Sequence, residues 1–211
     1  MPENQCLFRN ARIIGSSDII ENGWLLVANS RIETFGAGEP EENLVRATDQ
    51  MMDCQGATLL PGFIDLHTHG AVGADFVYGS TEQVEEIAAF FAEHGVTGFL
   101  ATTYAAQPNE LQQALKTLSS QMPGKLGAQM LGIHLEGPWL NPVKAGAQNR
   151  ATLRSADPAE VIPYLESGLI RLVAVAPEIK ENHWLISACR ERGITVAAGH
   201  THATYEEMLN A

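Results

Sequence analysis

The sequence predicts an α/β fold, a (β/α)8 TIM barrel with about five βα units present, preceded by a small β-sandwich segment. Two observations predict this fold. From residue 58 onward, short apolar runs typical of strands alternate with segments that carry helix-capping residues. Polar side chains follow several of the predicted strands directly, as in enzymes built on parallel sheets. We therefore expect a parallel sheet.

The composition is that of an acidic globular protein. The chain has 211 residues, of which 45% are hydrophobic and 18% charged, and its formal net charge is -12. This balance argues against nucleic acid as a partner, because binding to phosphates needs a basic patch. No apolar run reaches the roughly 18 residues of a membrane span. The chain start lacks signal-peptide features and the three cysteines suit reduced thiols, so we expect a cytoplasmic protein.

We predict that residues 1–56 form the N-terminal part of a small β-sandwich. Their predicted turns are Asn22-Gly23 and Asn29-Ser30, and a polar loop is expected over residues 36–42. The predicted strands of this segment are residues 8–14, 23–28 and 31–35.

We predict that residues 57–211 form the first part of the barrel. The predicted strands are residues 63–66, 96–103, 129–135, 169–176 and 194–198, and the predicted helices are 81–94, 108–121, one from Asp157, 181–192 and one from Thr204. A typical barrel of this kind needs about 250 residues. We therefore expect the chain to be the N-terminal part of a longer protein, through truncation, a partial gene model or a split architecture.

The first candidate metal ligands are His67 and His69, which follow an apolar run. Side chains alternate along a strand, so both imidazoles are expected on one face at the strand's C-terminal end. Two imidazoles so placed can bind one metal ion. The alternative is a pair of surface histidines in a loop.

Two later strand ends add further candidates. Alternation places His134 and Glu136 on one face, with one of them at the mouth of the barrel, and His200 directly follows the fifth strand. Histidine with carboxylate suits zinc and other first-row metals. Each has a structural alternative, namely a helix cap or ion pair for Glu136 and a structural histidine for His200. We place His202 in the following turn.

A polar loop over residues 141–150 follows Glu136 and contains Lys144, Gly146 and Gln148. Backbone N–H, amide and basic groups of this kind can bind a substrate. An ordinary surface loop is the alternative interpretation.

Three motifs together resemble the amidohydrolase superfamily, and within it the N-acetylglucosamine-6-phosphate deacetylases. They are PGFIDLHTHG at 61–70, HLEGPWLN at 134–141 with KAGA at 144–147, and GHTHAT at 199–204. The first motif is shared broadly across the superfamily, whereas the other two are typical of the deacetylases. The resemblance covers nearly the whole chain and implies a TIM barrel of amidohydrolase type.

The resemblance implies a role for each matching residue. His67 and His69 would bind one divalent metal, His200 would help bind another, and Glu136 would take the bridging position that a carboxylated lysine fills in related enzymes. The implied cofactor is one or two divalent ions, zinc first, with Fe, Mn, Co or Ni as alternatives.

The resemblance also implies the substrate contacts and the partners. Ala147 and Gln148 would contact a phosphorylated amino sugar, and a homodimer is implied for the full-length protein. Many relatives have histidine at the position of Gln148, so an N-acetylgalactosamine-6-phosphate substrate is the alternative.

The implied reaction is metal-assisted hydrolysis of the N-acetyl amide, a linear C–N bond, with a carboxylate that transfers a proton to the departing amine. In the family this carboxylate is an aspartate after the eighth strand, beyond residue 211, so no catalytic residue is expected within the chain. We therefore expect residues 1–211 alone to be inactive and poorly soluble. One alternative is an incomplete fragment that binds metal or serves as an assembly partner. A further alternative is a dihydroorotase-like enzyme. Such enzymes usually need a lysine to bridge the metals, whereas this chain has Glu136, so this alternative has the least support.

Overall fold

The computed structural model describes residues 5–120 and 127–211, and the chain divides into two compact units, Met1–Pro61 and Gly62–Ala211. The first unit is a β-sheet built around its first strand. That strand, β1, pairs antiparallel with β2 and parallel with β4 and β5, while β2 pairs antiparallel with β3. The elements of this unit are β1 Gln5–Ile14, β2 Ile19–Ala28, β3 Arg31–Ala37, α1 Glu42–Ala47, β4 Gln50–Asp53 and β5 Thr58–Leu59.

Of the two predicted turns in this unit, one is confirmed and one is wrong. Asn29 and Ser30 connect β2 to β3 with φ values of 51° and 61°, in the left-handed region that such turns use. The predicted turn at Asn22-Gly23 instead lies inside β2. A Cβ at Gly23 would lie 2.7 Å from the Gly36 carbonyl oxygen. Glycine is therefore needed at this position because β2 and β3 approach each other closely, and not because the chain turns there.

The predicted loop over residues 36–42 is only partly a loop. Gly36 and Ala37 complete β3, and Glu42 begins the short helix α1. The strands β4 and β5 also lie outside the predicted segments. They are only four and two residues long, too short to show a clear alternation.

The second unit contains the predicted parallel sheet. Its elements are β6 Phe63–Thr68, β7 Gly70–Ala71, β8 Ala74–Asp75, α2 Thr81–Glu93, β9 Val96–Thr103, α3 Pro108–Ser119, β10 Gln129–Glu136, a 3-10 turn Pro142–Lys144, α4 Pro158–Glu166, β11 Ile170–Val175, a 3-10 turn Lys180–Asn182, α5 His183–Glu191, β12 Thr195–Ala198 and α6 Tyr205–Asn210. Within residues 62–120 and 127–211, five strands pair in parallel in the order β12-β11-β10-β9-β6. Each strand thus lies beside its neighbour in the chain, and the curled sheet is the partial (β/α) barrel that the sequence predicts.

Capping residues explain why the helices begin where they do. The Ser80 hydroxyl and the Gln83 amide form a reciprocal capping box at α2, and Thr204 with Glu207 does the same at α6. The Asp157 carboxylate accepts a hydrogen bond from the backbone of Ala159 at the start of α4.

Two predicted helices differ in their bounds. The helix predicted over residues 108–121 extends through Ser119, and position 121 lies outside the described residues. The helix predicted over residues 181–192 is divided into the 3-10 turn at Lys180–Asn182 and α5.

The core of this unit lies between the helices and the middle strands. Side chains from α2 and α3, such as Ile87 and Leu111, pack with Phe99, Ile133 and Leu135 from β9 and β10. The edge strand β6 is different: Phe63, Ile64 and Leu66 are 60%, 60% and 56% exposed. The central strands are therefore packed on both faces, whereas β6 exposes apolar side chains.

In the part of the chain that the structure describes, no helix is both long enough and apolar enough to cross a bilayer.

Candidate metal centre and adjoining cleft

The four predicted metal ligands lie at one edge of the parallel sheet. His67 lies near the end of β6 and His69 just beyond it, Glu136 is the last residue of β10, and His200 follows β12 by two residues. Parallel strands place their carboxyl ends at the same edge. The topology thus brings together residues that are far apart in sequence.

Glu136 is at the centre of this group. Its Oε1 lies 3.1 Å from His200 Nε2 and 3.7 Å from His67 Nε2, and its Oε2 lies 3.2 Å from His69 Nε2. The potential ligand atoms of His67, His69 and Glu136 all lie within 4.8 Å of one another. Three imidazoles thus converge on one carboxylate.

The electrostatics of the group keep the carboxylate ionised. Burial alone would raise the pKa of Glu136, but the hydrogen bond with His69 and the charge of His67 outweigh it and lower this pKa to about 2. The same hydrogen bond raises the pKa of His69 above its ordinary value of 6.5. Glu136 and His69 thus stabilise each other's charged forms.

Backbone carbonyls orient two of the imidazoles. His69 Nδ1 lies 3.2 Å from the Thr102 carbonyl oxygen, and His200 Nδ1 lies 2.9 Å from that of Lys144. A carbonyl oxygen only accepts, so it favours a proton on Nδ1 and leaves Nε2 to face Glu136. His200 also has a φ of 47°, an uncommon backbone conformation for a residue with a side chain.

His134 lies behind this group and is buried. Its ring centre is 5.1 Å from that of His67, and its Nδ1 lies 3.5 Å from Thr102 Oγ1. Burial and the charge of His67 lower the pKa of His134 to about 4, so this imidazole is neutral. Of the pair His134 and Glu136, Glu136 lies at the mouth.

The donor set fits a divalent first-row metal ion. Three imidazole nitrogens and a carboxylate are the ligand types that zinc and its neighbours prefer. The hydrogen bonds that the imidazoles of His69 and His200 donate to the Thr102 and Lys144 carbonyl oxygens are the kind that fix the orientation of metal-binding histidines.

A cleft of about 490 Å³ adjoins this group, and His69 forms part of its wall. The predicted substrate contacts Ala147 and Gln148 both line it. Its other lining residues are Tyr78, Tyr104, Ala105, Ala106, Gln107, Glu110, Asn149 and Thr152. The volume suits a small molecule.

Gln148 lies between the cleft and the carboxylate. Its Nε2 donates to Glu136 Oε2 at 2.7 Å, and its Oε1 accepts from the Ala105 backbone N–H at 2.7 Å. The motifs singled out Gln148 as a substrate contact and did not indicate its hydrogen bond to Glu136, because nothing in a loop's sequence sets the direction of its side chains.

Two further residues of this region were missed although a signal existed. Tyr104 directly follows β9 and lines the cleft, with its hydroxyl donating to Asp75 at 3.1 Å. Glu178 follows β11 and accepts hydrogen bonds from Asn141 Nδ2 at 2.8 Å, Thr201 Oγ1 at 2.5 Å and the His202 backbone at 2.7 Å. Both are polar residues after a strand, the same pattern that indicated Glu136.

Comparison with known proteins gives relatives along most of the chain. The N-acetylglucosamine-6-phosphate deacetylases of Bacillus subtilis and Homo sapiens are 32% and 35% identical, each over 93% of this chain. The N-acetylgalactosamine-6-phosphate deacetylase of Escherichia coli O157:H7 is 30% identical over 92% of it. The matches cover 50%, 49% and 51% of these relatives, so the chain spans about half their length.

Solved structures show the same fold. The N-acetylglucosamine-6-phosphate deacetylase of Pasteurella multocida matches with a TM-score of 0.88 and 27% identity, over 98% of this chain and 53% of that one. A mutant of the Mycobacterium smegmatis enzyme, in complex with N-acetyl-D-glucosamine-6-phosphate, matches with a TM-score of 0.84 and 30% identity, over 98% and 52%.

The family model described as "Amidohydrolase family" matches residues 58–211, which include all four candidate ligands and the cleft. Relatives at 30% identity or more along nearly the whole chain agree with it. The chain belongs to the amidohydrolase family.

Proposed function

We propose that these residues are part of a metal-dependent hydrolase that removes the acetyl group from N-acetylglucosamine-6-phosphate, giving glucosamine-6-phosphate and acetate. The observation that carries this proposal is the convergence of three imidazoles on the Glu136 carboxylate, beside a cleft sized for a small molecule. The names of the relatives supply the substrate.

In this proposal His67, His69, Glu136 and His200 bind the metal. A divalent ion in such a site supplies Lewis-acid activation of water and of the amide carbonyl. The protein supplies an ionised carboxylate to such an ion, and the low pKa of Glu136 supports this role for its side chain. The Thr102 and Lys144 carbonyl oxygens favour the tautomers that direct the Nε2 lone pairs of His69 and His200 toward the ion.

We assign Ala147 and Gln148 to substrate binding, because both line the cleft beside His69. We also propose that the ion is Zn²⁺, supported by the mixed histidine and carboxylate donors. Free cysteines and the net charge of -12 support a cytoplasmic protein that binds no nucleic acid.

The proposed domain organisation is part of a small β-sandwich over residues 1–56 and the first part of the barrel over residues 57–211. The family resemblance is the support for a homodimer of the full-length protein. It also places the proton-transferring aspartate outside residues 1–211, so we expect these residues alone to bind metal without turning over substrate.

A chimera tests the proposed activity. Residues 1–211 would replace the matching half of the Bacillus subtilis deacetylase, and acetate release from N-acetylglucosamine-6-phosphate would be measured with Zn²⁺ present. The chimera should be active and its Glu136→Gln variant inactive. Glu93→Gln is the matched control, because it neutralises an exposed carboxylate at the end of α2. A folded, zinc-loaded chimera that releases no acetate would contradict the proposal.

The second candidate is deacetylation of N-acetylgalactosamine-6-phosphate. Gln148 favours it, since this cleft residue differs from the histidine of many deacetylases, and one relative is named for that substrate. The ratio of kcat/KM values for the two sugars, measured with the same chimera, decides between them.

A further inference from the structure

Gln148 has two fixed partners, and together they determine how its amide is oriented. The Ala105 backbone N–H can only donate, so it faces Oε1, and the other end of the amide, Nε2, therefore donates to Glu136 Oε2. Both distances are 2.7 Å. Reversing the amide would break both bonds, so Gln148 holds one defined geometry.

This geometry fixes the rotation of the Glu136 carboxylate. Oε2 accepts from Gln148 at 2.7 Å and faces His69 at 3.2 Å, which leaves Oε1 toward His200 at 3.1 Å. A hydrogen bond to an ionised acceptor is among the stronger ones in proteins. Without it, the carboxylate could turn about its last bond.

The loop that carries Gln148, residues 141–152, also contacts a second ligand. Its Lys144 carbonyl oxygen lies 2.9 Å from His200 Nδ1, and its Asn141 N–H donates to the His200 carbonyl oxygen at 3.1 Å. At the other end of the loop, Thr152 Oγ1 donates to the Ala105 carbonyl oxygen at 2.9 Å. The 141–152 loop therefore contacts Glu136 at the end of β10 and His200 after β12, and it also lines the cleft.

We propose that Gln148 is a positioning residue through which metal binding at Glu136 orders the 141–152 loop at the cleft. The inference rests on the proposed metal site and adds a coupling between that site and the loop. Such a coupling is reciprocal: if the metal orders the loop, a molecule that orders the loop strengthens metal binding by the same factor.

The experiment uses the 211-residue chain and Zn²⁺ as the probe. Zn²⁺ affinity is measured by competition with a chromophoric chelator, and backbone hydrogen exchange of the 141–152 loop is measured with and without saturating Zn²⁺. In the unmodified chain, Zn²⁺ should slow exchange in the loop. In Gln148→Ala, the affinity should fall by about 10- to 100-fold, as is usual for a lost outer partner of a ligand. Saturating Zn²⁺ should then no longer protect residues 147–149.

Val143→Ala is the matched control, because this side chain is in the same loop but 74% exposed. It should keep both the affinity and the protection. Exchange within β10 shows whether each variant is folded. Equal Zn²⁺ affinity, or equal protection of the loop, in folded Gln148→Ala would overturn this inference alone. Failure of the unmodified chain to bind Zn²⁺ would overturn both it and the proposed metal site.

Discussion

The central strand β10 and the edge strand β6 both carry candidate metal ligands, but different forces fix those ligands in place. Around Glu136, β10 has buried neighbours and paired strands on both sides. His67 and His69 extend from a strand paired on one side only, in the part of the chain that the structure describes, with apolar side chains exposed along it. Packing thus fixes the strand beneath Glu136, whereas hydrogen bonds orient the His69 imidazole and the Glu136 carboxylate.

This contrast explains why the site depends on outer hydrogen bonds. A side chain in a packed core has few alternative rotamers, whereas an exposed one must be held by specific partners. The carbonyl oxygens of Thr102 and Lys144 are those partners for His69 and His200. The Glu136 side chain is buried, and the amide of Gln148 sets the rotation of its carboxylate. The predictions below test this division between packing and hydrogen bonding.

The largest expected effect is on stability. Leu135→Ala removes a fully buried side chain of β10 and should lower the free energy of unfolding by about 2–5 kcal/mol, through lost burial and the cavity left behind. Leu66→Ala on β6, where leucine is 56% exposed, should cost less than about 1 kcal/mol. Urea denaturation of both variants measures the difference. Equal losses would show that β6 is packed as tightly as β10.

The second effect is on metal affinity. His200 Nε2 is 3.1 Å from Glu136 and its side chain is 24% exposed, whereas His67 Nε2 is 3.7 Å away and its side chain is 51% exposed. We expect His200→Ala to weaken Zn²⁺ binding by about 100-fold or more, since a lost ligand costs at least as much as a lost outer partner. His67→Ala should cost less. Calorimetric titration checks this order, and the reverse order would show that His67 contributes more to metal binding than His200.

The third effect is on self-association. An exposed apolar edge strand invites pairing with another chain, and a lysine on such an edge opposes it. Ile64→Lys should therefore reduce concentration-dependent association in size-exclusion chromatography. Val143→Lys adds the same charge at an exposed loop position and should leave association unchanged. A similar decrease in both variants would assign the effect to net charge.

The smallest effect concerns the pKa of His69. Glu136→Gln removes the charged hydrogen-bond partner that raises it, so the pKa should move down toward 6.5 in an NMR titration of the metal-free chain. Because the pKa in the folded chain is the higher one, this contact stabilises the fold below about pH 6.5 and is lost as the pH rises through the folded value. Glu93→Gln should leave the His69 titration unchanged. If the His69 titration is unchanged in Glu136→Gln, then a group other than Glu136 raises the pKa of His69.

Much of the second unit could be predicted because its signals are local. Ser80, Asp157 and Thr204 mark helix starts, and the apolar run at Val96–Thr103 gives the bounds of β9. The short elements α1 and β4 carry no such signal, since none of their residues is buried and they show no apolar period. The place of β4 is set by its parallel pairing with β1.

The site could be predicted only as far as strand ends indicate it. His67, His69, Glu136 and His200 all follow that rule, and Tyr104 and Glu178 could have been found by it. The bond from Gln148 to Glu136 could not, because loop side chains follow no period and this contact depends on the path of the loop. Sequence thus indicated the residues of the candidate metal centre but not those that orient them.

The distances in sequence between the ligands have a consequence for the order of folding. In the part of the chain that the structure describes, β6 and β12 are the outer strands of the sheet, and His67 lies on the first while His200 follows the second. The contact between Glu136 and His200 spans 64 residues. Contacts of such long range form only after the intervening chain has been ordered. We therefore expect the ligand group to assemble late, after the rate-limiting step. Zn²⁺ should then lower the unfolding rate and leave the folding rate nearly unchanged. The ion would therefore increase the kinetic stability of the native sheet without accelerating its formation.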